Sequence, residues 1–233
     1  KKVKIAGLVK NSLIDYPGKI TAIVFTQGCN FRCPYCHNPD LVDIKNKKFL
    51  IPEKEIFDFL KKRKGLLDAV TITGGEPTLQ KDLKHFIAKV KEMGYLVKLD
   101  SNGTNPAFLK DILDEGNVDY VAMDIKNTLE KYERVTGPVD IKNIQKSIQL
   151  IMDSGVEYEF RTTVLPRLHK IEDFEVIGQM IKGANKYFIQ NFRSDKTLNK
   201  TYELEKSFTV SELEKIQKTM DKYVKSCQIR ENI

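Results

Sequence analysis

The stretch Ile20-Thr21-Ala22-Ile23-Val24-Phe25-Thr26 runs directly into Gln27-Gly28-Cys29-Asn30-Phe31-Arg32-Cys33-Pro34-Tyr35-Cys36-His37-Asn38-Pro39-Asp40. The first part is apolar, β-branched and short, as a buried parallel strand should be. The second part packs three cysteines into eight residues. Asn38-Pro39 keeps that loop from passing at once into a helix. Five more strand-like runs follow, at Ala69–Thr73, Tyr95–Asp100, Val118–Ile125, Tyr158–Val164 and Tyr187–Gln190. Between and after them the apolar spacing becomes helical: Pro52–Lys64 carries Ile56, Phe57 and Leu60 on one face, and Leu83–Met93 carries Phe86, Ile87 and Val90. Ala107–Leu113, Ile141–Met152, Phe174–Ile181 and Val210–Val224 complete the predicted helices.

Six βα units with right-handed crossovers form either an open doubly wound α/β sheet or a barrel. They are too few for the eight-stranded barrel, and the count fits an incomplete (β/α)6 barrel. No low-complexity segment or long linker divides the chain. The expected organisation is therefore one domain, 1–233, with an N-terminal extension (1–19), a βα core (20–192) and a C-terminal loop and helix (193–233).

Composition narrows the class. The chain has 233 residues, 41% hydrophobic and 30% charged, with 39 Lys+Arg against 32 Asp+Glu and a net charge of +7. That is too apolar for a disordered chain, and the apolar runs are far shorter than a membrane span of roughly 20 residues. No signal-peptide pattern is read at the N-terminus. Four cysteines in this length do not make a disulfide scaffold. The expectation is a cytoplasmic protein with no membrane partner. The basic residues form no single stripe, so no nucleic-acid partner is expected.

The unusual residues gather at the strand ends, where α/β proteins of both topologies keep their sites. The cysteines follow the first predicted strand and Gly74-Gly75-Glu76-Pro77 the second. Asp100-Ser101-Asn102-Gly103 follow the third, Asp124 and Lys126 close the fourth, Arg161 lies within the fifth, and Gln190 and Asn191 end the sixth.

Cys29-x3-Cys33-x2-Cys36 admits three readings. A structural zinc site would need His37 as fourth ligand, directly beside the third, which suits tetrahedral geometry poorly. Cys33-Pro34-Tyr35-Cys36 alone looks like a thiol–disulfide exchange motif, but such a motif needs its first thiol at a helix N-terminus. The third is a [4Fe–4S] cluster on three thiolates, with one iron left open for chemistry. This spacing, with Tyr35 at the aromatic position, resembles the radical S-adenosylmethionine (radical SAM) superfamily. Gly74-Gly75-Glu76 after the next strand matches that family's GGE motif, and the resemblance covers roughly residues 5–225.

The resemblance implies a radical SAM barrel, one [4Fe–4S] cluster on Cys29, Cys33 and Cys36, and SAM chelated at the open iron. It implies that reductive cleavage of SAM gives methionine and a 5′-deoxyadenosyl radical, with the electron from a flavodoxin or ferredoxin. Gly74, Gly75 and Glu76 would accept hydrogen bonds from the SAM ammonium, Lys126 and Arg161 would face its carboxylate or ribose, Asp124 would balance them, and Tyr35 would lie near the adenine. Asp15-x-Pro17-Gly18, Cys36-His37-Asn38-x-Asp40, Asp100-x-Asn102-Gly103 and Met123-Asp124-x-Lys126 resemble glycyl-radical-enzyme activating enzymes. Ser12 to Gly18 with Asn30 to Pro39 looks closest to the activating proteins of anaerobic ribonucleoside-triphosphate reductase, which would make that glycyl radical enzyme the partner. By analogy Asp15 would hydrogen-bond the partner's peptide, although Asp15-Tyr16-Pro17-Gly18 also reads as a plain turn. Relatives of this kind hold a monovalent cation beside SAM, and Asp100, Ser101 and Asp124 match its positions.

There are departures. Tyr16 stands where pyruvate formate-lyase-type activators have Gly, and Phe192 stands at a SAM-contacting His, leaving Gln190 or Asn191 as candidates. There is no inserted eight-cysteine ferredoxin segment. Two alternatives remain at this stage: a radical SAM enzyme acting on a small molecule or RNA, and a non-catalytic iron–sulfur or zinc protein, against which the GGE motif argues. Cys227 reads as an ordinary thiol in a polar tail, His37 as a neighbour of a ligand, and His85 and His169 as surface residues. Arg161 and Asp124 also read as an ordinary ion pair lining a barrel.

Overall fold

The computed structural model describes residues 2–45 and 50–230. Eight strands form one sheet in chain order: β1 (Ile5–Ser12), β2 (Thr21–Thr26), β3 (Ala69–Gly74), β4 (Leu96–Ser101), β5 (Tyr120–Asp124), β6 (Glu157–Val164), β7 (Tyr187–Asn191) and β8 (Cys227–Arg230). β2 to β8 pair in parallel, and β1 pairs antiparallel with β2. β1 and β8 are the edges; no pairing joins them among the described residues, so the barrel is open on that side. The six expected parallel strands are all present. The two edge strands lie in segments that the sequence reading left as extension and tail. Cys227 accordingly opens β8 and is buried, with its carbonyl accepting from Gln217 Nε2 at 2.8 Å.

The crossovers are α1 (Glu53–Lys62), α2 (Leu83–Glu92), α3 (Pro106–Asp114), a short α4 (Tyr132–Thr136), α5 (Ile141–Asp153) and α6 (Asp173–Met180); α7 (Val210–Met220) leads to β8. Their starts follow local rules. Asn105 and Asp140 cap α3 and α5 through their side chains, Pro106 occupies the first turn of α3, and Thr209 with Glu212 forms a capping box on α7. Among the described residues no helix is long and apolar enough to cross a membrane.

Alternation along the strands splits the protein into two interiors. Ala22, Val24, Val70, Ile72, Val97, Leu99, Val121, Met123 and Phe160 belong to the face that packs on the helices, and all are buried. There they meet Ile56, Leu60, Phe86, Ile87 and Ile144. Truncating Phe86 to Ala in that layer costs about 3–5 kcal/mol. The other face lines the barrel interior and is polar: Thr21, Thr71, Lys98, Asp100 and Glu159 are buried there. A small apolar group of Tyr16, Ala69, Leu96 and Tyr120 closes the end formed by the strand starts, with the Tyr16 and Tyr120 rings 5.4 Å apart. Tyr16 therefore acts as a stopper at the base of the barrel.

Candidate active site

The loop after β2 is pinned on both sides by backbone hydrogen bonds. Gly28 N–H donates to the Leu41 carbonyl (2.7 Å), Cys29 N–H to Val42 (3.1 Å) and Arg32 N–H to Thr136 (2.9 Å). From the far side Leu198 N–H donates to the Cys36 carbonyl (3.1 Å) and Asn199 N–H to Pro34 (2.9 Å). Held in this way, the free thiols of Cys29, Cys33 and Cys36 line a single cavity of about 190 Å³. Burial pushes Cys29 up to about 12 and Cys33 up to about 11. These sulfurs become thiolates when metal coordination removes the proton. Among the described residues no three His, Cys, Asp or Glu side chains are grouped to hold a single metal ion. Three soft donors spread around a shared cavity suit a polynuclear cluster better than zinc. The His37 ring stacks on Phe192 (centroids 5.5 Å apart, 24° between planes) and its Nδ1 is buried without a partner.

Gly74 and Gly75 run along the same cavity. A Cβ on Gly74 would stand 2.3 Å from the Thr26 nitrogen, and one on Gly75 2.2 Å from the Gly28 oxygen. Gly74 also holds φ at +127°, which favours glycine. The sequence reading gave both glycines the task of admitting a ligand. The structure shows an earlier need: they let the end of β3 press against the cysteine loop, where Glu76 N–H donates to the Gly28 carbonyl (2.8 Å).

Glu76 likewise has a structural task. Its carboxylate is buried and accepts from Thr78 Oγ1 (2.6 Å), Thr78 N–H (3.2 Å), Ser101 Oγ (2.9 Å) and Asn102 N–H (2.7 Å). Burial raises its pKa while these donors pull it back. Through these four donors the side chain ties the loop after β3 to the loop after β4, and Glu76 also lines the cavity.

A ladder of alternating charge crosses the barrel interior. Lys98 Nζ lies 2.6 Å from Asp100 Oδ1, and Arg161 Nη2 lies 3.0 Å from Asp100 Oδ2. Arg161 Nε lies 2.5 Å from Asp124 Oδ1, and Lys126 Nζ lies 2.9 Å from Asp124 Oδ2. The ion-pair reading of Arg161 and Asp124 is therefore realised, and the pair also lines the cavity. Burial works against ionisation of Asp124, but Arg161 and Lys126 outweigh it and hold the carboxyl well below the usual range. Lys126 stays charged for the reciprocal reason. Ser101 Oγ, besides donating to Glu76, accepts from Gly103 N–H (3.1 Å). The two carboxylates expected to hold a monovalent cation are thus already faced by three cationic side chains, Lys98, Arg161 and Lys126, and a further cation beside them would be repelled.

Tyr35 lies buried in the cavity wall, edge-on to Phe192 (6.4 Å), with its hydroxyl unpartnered. Asn191 is spent on the Phe208 backbone (2.9 and 3.2 Å), which leaves Gln190 facing the side opening. That opening is lined also by Asp15, Asp124, Arg161 and Arg230. Asp15 accepts from Ser12 Oγ (2.5 Å). His169 is not a surface residue: it is buried, with Nε2 2.9 Å from the Lys126 carbonyl and Nδ1 accepting from Leu165 N–H (3.3 Å). Since the carbonyl only accepts, Nε2 carries the proton.

Sequence reasoning passed over Lys98, Glu159, Tyr120 and Arg230. Arg230 grips the fully buried Glu159 with two bonds (2.8 and 2.9 Å), and Tyr120 donates to the same carboxylate (2.9 Å). Charges at every second position of an apolar run, as in Lys98-x-Asp100 and Glu159-x-Arg161, were the available signal for a polar barrel interior.

Residues 23–181 match the Radical SAM superfamily. With a match over that much of its length, on this fold and with these thiols, the chain belongs to the radical SAM superfamily of enzymes, whose members use a [4Fe–4S] cluster and SAM. Within it, the chain groups with the glycyl-radical enzyme activating enzymes. A Methanocaldococcus jannaschii protein named for that activity is 38% identical over 98% of this chain and 96% of its own. The pyruvate formate-lyase-activating enzyme of Clostridium pasteurianum is 29% identical over 95% of this chain and 97% of its own. Among solved structures, Streptococcus suis SuiB bound to S-adenosylmethionine matches with a TM-score of 0.66 over 88% of this chain and 48% of that chain, at 15% identity, a likeness of fold.

Proposed function

We propose that this enzyme installs a glycyl radical on an anaerobic ribonucleotide reductase. Cys29, Cys33 and Cys36 are the residues that would hold the [4Fe–4S] cluster. The SAM chemistry rests on the observation that these thiols, the Gly74-Gly75 edge and the Arg161–Asp124–Lys126 ladder line one cavity beneath an open barrel side; the choice of the reductase rests on the resemblance of Ser12 to Gly18 and Asn30 to Pro39 to the activating proteins of that enzyme. Bound there, the cluster and SAM would supply a 5′-deoxyadenosyl radical once a flavodoxin or ferredoxin donates an electron.

The protein's own groups have distinct tasks. Lys126 and Arg161 offer fixed positive charge for the SAM carboxylate, and Asp124 orients both through charge-assisted bonds. The Gly74 and Gly75 carbonyls are the acceptors for the SAM ammonium, while Glu76 and Ser101 keep their loops in place. Tyr35, in the cavity lining and backed by Phe192, is the aromatic face for the adenine. Asp15, at the side opening, accepts a backbone N–H from the partner's glycine loop. The reading of the chain as one domain is supported by the single sheet, whose edge strands β1 and β8 come from its two terminal segments.

The test is anaerobic reconstitution, reduction and addition of SAM, with 5′-deoxyadenosine measured in the product. Cys29→Ala, Cys33→Ala and Cys36→Ala should each abolish it, and Cys227→Ala should not. Mixing with an anaerobic reductase should give a glycyl radical spectrum. A glycyl signal on pyruvate formate-lyase but none on the reductase would refute the choice of partner.

A further inference from the structure

One buried cation of the barrel interior has no part in the scheme above. Lys98 points inward from the middle of β4 and is 2% exposed. Its ammonium touches Asp100, and lies 6.0 Å from the Tyr120 ring centroid. A lone lysine is costly in such a place, so its partner and purpose need an account.

The account comes from the misfit at the expected cation position. An alkali ion is held by oxygen lone pairs directed at it. Both oxygens of Asp100 accept from Lys98 and Arg161, and both of Asp124 from Arg161 and Lys126. Ser101 Oγ is used in both directions. With Glu159 and Arg230 included, the interior sets four cations (Lys98, Arg161, Lys126 and Arg230) against three carboxylates (Asp100, Asp124 and Glu159), so a metal ion would add a second uncompensated positive charge in a buried region. Its cost would be large.

We propose that Lys98 is the built-in cation of this site, its ammonium taking the role that relatives of this kind would give to a monovalent metal ion. Lys98 is a positioning residue: it fixes Asp100, Asp100 fixes Arg161, and Arg161 faces the SAM carboxylate. The proposal rests on the SAM reading given above. It implies that the holoenzyme is indifferent to alkali cations.

The experiment is equilibrium dialysis of the reconstituted holoenzyme against radioactive rubidium, with and without SAM, beside calorimetric titration of SAM in potassium or tetramethylammonium buffer at equal ionic strength. The wild type should retain no stoichiometric rubidium and bind SAM equally in both buffers. Lys98→Ala should take up one rubidium per chain. Its SAM affinity should fall by about tenfold in tetramethylammonium and recover in potassium. Lys98→Met, which keeps the volume and offers no room for the ion, should lose the affinity in both buffers. Stoichiometric rubidium on the wild type overturns the proposal, as does a Lys98→Ala protein with no rubidium and unchanged SAM binding. If neither variant folds, the wild-type dialysis still decides. Failure of SAM to bind in any buffer, with the rubidium pattern as expected, would refute the SAM reading and leave the built-in cation standing.

Discussion

Gly75→Ala separates packing from ligand contact. The added Cβ would lie 2.2 Å from the Gly28 oxygen and 2.5 Å from the Gly28 carbonyl carbon, and a third contact of 3.0 Å falls on the Leu41 oxygen. Real Cβ atoms essentially never come closer than 3.0 Å, so the Gly28 carbonyl must retreat by at least 0.8 Å. It cannot do so freely. Its oxygen accepts from Glu76 N–H, Gly28 N–H is bonded to Leu41, and the next residue is the first thiol of the cysteine loop. Overpacking against backbone of this kind costs about 1–3 kcal/mol. A displacement near 1 Å at a reacting site lowers turnover by about a hundredfold. The expected result is therefore a fall in the denaturant midpoint, with iron content after reconstitution well below wild type and 5′-deoxyadenosine formation down by that order. Iron content and its visible absorption are the deciding measurements, because they report the cysteine loop without requiring SAM. A Gly75→Ala protein with wild-type iron content and stability, and impaired only in SAM affinity, would refute the packing argument and return Gly75 to the role of a pure ligand contact.

Two further outcomes follow from the buried charges. Asp124→Asn keeps the shape but leaves Arg161 and Lys126 facing an amide; stability should drop by about 3 kcal/mol, read as a shift in urea midpoint, and a loss under about 1 kcal/mol would mean that the ladder is not coupled as described. For His169, burial lowers the pKa below the ordinary value, and the bond from Leu165 N–H holds the neutral ring in place. The unfolded chain thus takes up the proton first as pH falls below about 6.5, so stability is present above that pH and is lost below it, by at most about 1.4 kcal/mol per pH unit. His169→Gln, which can keep both hydrogen bonds, should flatten the slope of unfolding free energy between neutral and mildly acid pH; identical slopes in the two proteins would remove His169 as its source.

The parallel strands were legible because each is a short β-branched run bounded by a helical period, and the structure moves their ends by one or two residues. β1 and β8 escaped for a physical reason. An edge strand is half-exposed, so Lys10, Asn11, Gln228 and Arg230 interrupt the apolar pattern by which a buried strand is recognised. Their strand character comes from pairing with β2 and β7, which a local reading does not see. His169 failed in the same way. A histidine after a strand in a polar loop looks exposed, and only the fold brings the Lys126 carbonyl over its Nε2.

At the site, the distinction lies between groups defined by spacing and groups defined by partners. The cysteines and the two glycines are constrained along the chain, by the loop that carries three thiols and by backbone contacts no other residue permits. Their positions could be read directly. What Glu76, Asp100 and Asp124 do depends on which donors reach them from neighbouring strands, and those donors are Ser101, Lys98 and Arg161. A carboxylate at a strand end is compatible with a metal ligand, a substrate acceptor or a strut. Which donors and cations reach it bears on the choice, and knowing them requires the register of four adjacent strands. That register shows Glu76 tying two loops together and sets protein cations beside the carboxylates where a mobile one was expected. It also leaves Arg161 and Lys126, each braced by Asp124, as the charges aimed into the cavity between the cysteine loop and the open side of the barrel.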